Sequence, residues 1–256
     1  MALVKSPQEI DTLREAGKIL AGVVAEVSSV CRPGVSTLEL DALAERLMRE
    51  RGAEPALIGY QPDGADRPYP ATLCTSVNNE VVHGIPSKDK ILQEGDVIGL
   101  DTVIKYKGLF IDMAVTVPVG EIPAETKRLL DVTRSALSAA IEVCRPGKRI
   151  NDIGCAIEKV VKKSGFGLVE DLGGHAVGHA VHEEPYIPNY CIKGGGTALV
   201  PGMVLALEPI VNAGSMQVTL DQKDGYTYRT RDGKKSAHFE HSVLITDGDP
   251  EILTLA

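Results

Sequence analysis

Apolar side chains return at helical spacing through Ile10, Leu13, Ala16-Gly17, Leu20 and Val24, the beat of an amphipathic helix. Ser6-Pro7-Gln8-Glu9 in front supplies a capping hydroxyl, a proline at the first helical position and an acid in the first turn. Cys31-Arg32-Pro33-Gly34 ends the run. A second helix is predicted from the Ser36-Thr37 cap, with Leu40, Leu43, Ala44, Leu47 and Met48 on one side and Arg51-Gly52 as its stop. The same phrase returns 113 residues later: a helix from about Ala124 to Val143 closed by Cys144-Arg145-Pro146-Gly147, then one carrying Ile153, Ala156, Ile157 and Val160 that closes at Ser164-Gly165. Cys-Arg-Pro-Gly recurs at the same point, and Glu45/Glu158 and Gly52/Gly165 fall at the same offset. Such repetition predicts a duplicated half-domain. After each helix pair, residues 71–119 and 167–254 are rich in Val, Ile, Leu and Thr and broken by Gly and Pro, which reads as antiparallel sheet. The fold class is therefore α+β, with helices packed on a pseudo-symmetric sheet in one domain spanning 1–256.

Acids interrupt this apolar pattern where a core should be. Asp101 sits inside the strand-like run Asp96 to Lys105, and Asp112 inside Leu109 to Val117. A two-residue turn, at Tyr106-Lys107 or Lys107-Gly108, would put both carboxylates on one face; a three-residue turn or a bulge would separate them. Facing carboxylates in an apolar setting must share a proton or hold a cation. Glu208 and Glu240 lie in further apolar runs, Met203 to Val211 and Ala237 to Ile245, and a buried Glu without a partner is rare. The six histidines fall in three places: His83, the group His175/His179/His182, and the pair His238/His241. Gly173-Gly174-His175-Ala176-Val177-Gly178 has too much glycine for a helical zinc clamp. His182-Glu183-Glu184-Pro185-Tyr186 lacks the second histidine of an H-E-x-x-H motif. Four acids and one histidine could supply the shell of a two-ion site. That oxygen-rich set suits Mn, Fe or Co and admits Zn.

Composition narrows the choice. The net charge of −8 over 256 residues argues against nucleic acid or an anionic membrane as the partner. No apolar run approaches the length of a membrane span, and Met1 to Ile10 lacks the apolar core of a secretory signal. The five cysteines contain no C-x-x-C pair and read as reduced thiols of a cytosolic protein, so a cytoplasmic location is expected.

Asn78-Asn79-Glu80-Val81-Val82-His83-Gly84-Ile85-Pro86, the Asp101/Asp112 pair, Gly174-His175 through His182-Glu183-Glu184-Pro185, Glu208-Pro209 and Glu240-His241 follow one another in an order that resembles the methionine aminopeptidases. The likeness runs over almost the whole chain and implies the duplicated pita-bread fold. Only 32 residues separate Glu208 from Glu240, which leaves no room for the helical insert of the type II branch. With no N-terminal zinc-finger extension, the short bacterial type I form is expected. The resemblance implies two divalent ions (Co, Mn, Fe or Zn) that activate a bridging water. Asp101 would grip one ion, His175 and Glu208 the other, and Asp112 and Glu240 would bridge. His83 and His182 would hold the substrate and the tetrahedral intermediate, while Glu208 also takes a proton from the attacking water. Tyr60, Tyr69 and Cys74, with Val181 and Tyr226, are similar to residues of a methionine pocket. Val181 stands where an aromatic is frequent, Tyr226 stands where Trp is common, and Gln61 to Pro68 is longer than the usual loop, so a reshaped or looser wall is expected. His179 and His238 are uncommon at their positions and read as surface imidazoles or groups behind the ligands.

The implied activity is removal of the initiator methionine before a small second residue. Nascent polypeptide N-termini would be the partners of a monomeric enzyme, with the ribosome nearby and the mixed-charge loop Lys223 to Lys235 as weak support for contact with it. A proline-directed relative would carry a large N-terminal domain, and a metal-free binding relative would lack one or more of the five ligands.

Overall fold

The computed structural model describes residues 3–62 and 64–255. Its helices are α1 (Pro7–Ser29), α2 (Thr37–Glu50), α3 (Ala124–Glu142) and α4 (Ile150–Val161), two pairs at the predicted offset. Ser6 and Ser36 cap the first two in full capping boxes with Glu9 and Glu39, satisfying backbone donors that a helix start leaves orphaned. The second pair starts differently: Pro123 offers α3 no side-chain cap, and α4 relies on the Asp152 carboxylate accepting from the Arg149 amide at 2.7 Å.

The strands Val97–Tyr106 and Leu109–Pro118 form the longest hairpin. Its two-residue turn, Lys107-Gly108, has positive φ at both positions (47° and 88°), the backbone twist that joins strands most tightly. Tyr106 therefore pairs with Leu109, Val103 with Asp112 and Asp101 with Ala114. The two acids share one face as diagonal neighbours. Of the two placements for a two-residue turn, Lys107-Gly108 is the one adopted.

Glu240–Leu244 pairs with Leu109–Pro118 through Glu240/Ala114 and His241/Met113, and on its other side with Val204–Leu207. Val204–Leu207 pairs in turn with Gly173–Ala176, which pairs with Glu183–Pro188. The halves of the chain thus meet along the ladder that Glu240 begins. One apolar cluster, with Leu13, Leu20, Leu40 and Met48, fills the space under α1 and α2, and a second, with Leu129, Ile153, Leu205 and Val243, lies under α3 and α4. Each helix pair covers its own half of the sheet, and the seam between them carries the acids.

Three sequence expectations change. Cys155 and Cys191 form a disulfide, while Cys31, Cys74 and Cys144 are free. A Cβ on Gly154 would meet the Tyr190 carbonyl oxygen at 2.3 Å, so its glycine lets α4 approach the chain after Glu183–Pro188 and bring the two Cα atoms to 4.2 Å. The cysteines therefore give no argument for a reducing compartment. Glu208 is not inside a strand: Val204–Leu207 ends before it and Ile210–Asn212 follows, because Pro209 cannot donate to a ladder. Nor is Lys223 to Lys235 simply a loop. Tyr228–Thr230 is a strand, Arg229 pairs with Glu80 and Asp221, and Lys235 Nζ donates to the Gly95 carbonyl.

Near the N-terminus, Lys5 Nζ pairs with Glu183 Oε2 at 2.8 Å, with side-chain exposures of 0% and 6%. The other Glu183 oxygen accepts from the Ala180 amide at 3.0 Å and from the His179 amide, so this one carboxylate shapes the turn before His182. Lys5→Met removes the counter-charge from this buried carboxylate and leaves Oε2 without its partner, and urea unfolding should report a loss of about 3–5 kcal/mol. A loss below ~1 kcal/mol, the range of exposed pairs, would contradict the buried pair.

Candidate functional site

Backbone pairing explains why far-separated residues converge at the seam. Asp101 and Asp112 come from the central hairpin, His175 from Gly173–Ala176, Glu208 from the proline-broken end of Val204–Leu207, and Glu240 from the start of Glu240–Leu244. The Ser242 hydroxyl accepts from the Asp112 amide at 3.2 Å and donates to its carbonyl at 2.8 Å, pinning that strand where the halves meet.

Ligand atoms of Asp112, His175 and Glu240 all lie within 4.8 Å of one another. His175 Nε2 stands 3.7 Å from both Asp112 Oδ2 and Glu208 Oε1. Its Nδ1 lies 3.0 Å from the Ala176 carbonyl oxygen, which can only accept, so Nδ1 carries the proton and Nε2 is left as a lone pair. Asp101 lines the same cavity. Asp112 Oδ1 and Glu240 Oε1 are buried with no hydrogen-bond partner among the described residues.

Burial pushes the Asp101 carboxyl up to about 7. Asp112, Glu208 and Glu240 are driven well above the usual carboxylate range, first by burial and then by the charges of their neighbours. Burial, helped by His182, lowers His175 to about 3, leaving it neutral. Buried carboxyl groups whose ionisation burial disfavours without a counter-charge, beside an imidazole lone pair, are a donor set that fits a hard or borderline divalent cation.

Two more histidines face this cluster. His83 follows Glu80–Val82 at φ 58°, a left-handed turn that is uncommon outside glycine. Its ring packs edge-on to Tyr228, and burial lowers it to about 4. The His182 ring stands edge-on to His175 at 4.5 Å between centroids, and its Nδ1 lies 2.8 Å from Tyr60 Oη.

The cavity these groups line measures about 300 Å³. One lobe is apolar, built from Leu57, Tyr69, Cys74, Val103 and Tyr226, with Val181 packed in the same cluster. Pro62, Gly64 and Ala65 of the long loop form part of its wall. That loop is fastened: Arg67 Nη2 donates to the Asp224 carbonyl at 2.8 Å and Tyr226 Oη donates to the Arg67 carbonyl. On the other side a groove of about 430 Å³, lined by Asp171, Gly173, Glu184 and Tyr186 among others, shares His83, His175, His182 and Glu208 with the cavity.

All twelve residues singled out from the sequence therefore come to one region, eleven lining the cavity and Val181 in the apolar cluster beside it. His179 and His238 differ from each other. His179 is half-buried with Nε2 2.7 Å from Glu9 Oε1, whereas His238 is 4% exposed and lines the cavity, so the surface reading of His238 is corrected. His238 ends one strand and Glu240 begins another, so the side chains meet through the docking of two sheets and not through the alternation of a single strand.

The model of metallopeptidase family M24 matches residues 11–247. The methionine aminopeptidase of Aquifex aeolicus is 44% identical over 251 residues, covering 97% of each chain. Methionine aminopeptidase 1 of Bacillus subtilis is 43% identical over 255 residues, covering 99% of each. The crystal structure of methionine aminopeptidase from Thermotoga maritima superposes with a TM-score of 0.95 at 41% identity, covering 100% of both chains. A prolidase from Pyrococcus furiosus, 22% identical with a TM-score of 0.76 over 66% of its own chain, shares the pita-bread fold.

Proposed function

We propose, for a chain that belongs to metallopeptidase family M24 and within it to the methionine aminopeptidases, that it removes the N-terminal methionine from polypeptides whose second residue is small, at a centre of two divalent ions. The observation that carries this reading is a ligand cluster lining a cavity with an apolar lobe and an adjoining groove, the cavity and the groove sharing His83, His175, His182 and Glu208. Asp101, Asp112, His175, Glu208 and Glu240 would hold the ions, whose contribution is Lewis acidity toward a water and the scissile carbonyl.

The chain's own residues supply the rest. The lobe of Leu57, Tyr69, Cys74, Val103 and Tyr226 takes an unbranched thioether side chain. The groove past Tyr186 would carry the remaining polypeptide, and the second residue would sit where groove and cavity share His83, His175, His182 and Glu208. In the tautomer whose Nδ1 accepts from the Tyr60 hydroxyl, His182 would present an Nε2–H donor where charge develops on the carbonyl oxygen. Neutral His83, which lines the same cavity and groove, would orient the substrate. Glu208, held protonatable by burial, takes the proton of the attacking water and passes it to the leaving amine. His182→Ala should lower kcat by ~10²–10³-fold with a smaller effect on KM; an equal change in both would assign the ring to ground-state binding.

Nascent chains are the proposed substrates, met in the cytoplasm beside the ribosome by a monomeric enzyme. Among the described residues no helix is long and apolar enough to cross a membrane. The test is release of free methionine from a Met-Ala-Ser peptide with added Mn or Co, with an X-Pro peptide as control. Cleavage of the control alone, or no release with any divalent ion, would overturn the assignment.

A further inference from the structure

We propose that His238 supplies a second imidazole nitrogen to the metal centre, joining four carboxylates and His175. This rests on the two-ion reading above and concerns a residue outside the five ligands that the sequence pointed to.

His238 ends the strand Ser236–His238, and its main chain is clamped by one side chain. The Thr116 hydroxyl donates to its carbonyl at 2.7 Å and accepts from its amide at 2.9 Å. The ring is thereby aimed into the cavity from the seam between the halves, and His238 is 4% exposed. Nε2 is buried and has no hydrogen-bond partner among the described residues, a rare state for a polar atom unless something fills the gap.

What faces Nε2 is specific. It lies 3.7 Å from Glu208 Oε2 and 3.8 Å from Glu240 Oε2. His175 Nε2 lies 3.7 Å from the other Glu208 oxygen, Oε1. Two imidazole nitrogens thus face the two oxygens of one carboxylate at the same spacing. These gaps are too long for direct hydrogen bonds, yet two donors each ~2.0–2.2 Å from a shared ion stand about this far apart. Whatever spacing suits an ion between His175 and Glu208 is repeated between His238 and Glu208. An added nitrogen makes the centre less oxygen-rich and shifts its preference toward Co, Fe or Zn over Mn.

The experiment counts imidazoles directly. X-ray absorption at the cobalt edge of the protein loaded with two Co ions should show two histidines per pair of metals, falling to one in His238→Gln. Calorimetric titration of the metal-free protein should show about a 10–100-fold weaker Co affinity for the variant, and a smaller loss for Mn. Two bound ions with a single imidazole in the unsubstituted protein would overturn the proposal and leave the aminopeptidase reading standing, the gap then being bridged by water. No bound ion in the unsubstituted protein would overturn that reading as well. Circular dichroism melting of the metal-free variant checks its fold. If His238→Gln does not fold, the histidine count in the unsubstituted protein decides the matter alone.

Discussion

Replacing Asp112 by Asn abolishes nearly all turnover while leaving a folded protein. Asp112 is 5% exposed and belongs to the tightest cluster of donors, with His175 and Glu240, and one of its oxygens has no protein partner. An amide keeps the volume and the strand pairing but removes the charge, and presents an N–H donor where a cation is wanted. Loss of the several kcal/mol that a metal centre contributes to the transition state corresponds to ~10³-fold in kcat/KM. The same change relieves like-charge crowding, since Asp112 raises both Glu208 and Glu240. Metal-free Asp112→Asn should therefore melt above the metal-free unsubstituted protein. Elemental analysis, peptide assay and thermal melting check the three parts. Full activity with full metal content would remove Asp112 from the centre and with it the reading of the site.

The metal-free protein should lose stability as pH rises above about 6.5, and added Mn or Co should abolish that loss. A carboxyl whose native pKa is raised keeps its proton in the folded state after the unfolded chain has released it. Such a group costs about 1.4 kcal/mol per pH unit between its unfolded and folded values. For Asp101 the interval runs from 3.8 to about 7, and Asp112, Glu208 and Glu240, each driven well above its ordinary range, add to the loss in the same sense. The buried histidines act in the opposite sense. His83, His175 and His238 are lowered from 6.5 to between about 3 and 4, so they add stability as pH rises to 6.5 and nothing beyond. Below that point the two sets oppose each other; above it the acids act alone. A cation in the site holds the carboxylates ionised, and at a hundredfold excess over its Kd stabilises by about 2.7 kcal/mol. Urea midpoints across pH 6–9, with chelator and with metal, measure both effects. A flat profile with chelator would show that the acids do not crowd one another.

The buried acids and the helices differ in how far local sequence carries them. Ser6 with Glu9 and Ser36 with Glu39 mark helix starts because both partners of a capping box lie within four residues. The shared face of Asp101 and Asp112 follows from strand parity once Lys107-Gly108 is the turn, and Gly108 is the residue that makes that turn cheap. Glu208 lies outside this reach: its apolar neighbours looked like one continuous strand, and Pro209 breaks the ladder there. The residues proposed as metal ligands and pocket wall were legible as candidates because acids in apolar runs carry a cost that demands a partner, and because their order along the chain resembles that of the methionine aminopeptidases.

By itself the sequence determined the two helix pairs, their repetition, the hairpin and the presence of costly buried carboxylates, since all of these depend on neighbours along the chain. The tertiary structure alone decided the Cys155–Cys191 bond, the Lys5–Glu183 pair, the Tyr60–His182 contact and the burial of His238 against Glu208. Each joins positions that meet only when helices, strands and the two halves of the sheet dock. Such distances are set by packing, and no local periodicity encodes them.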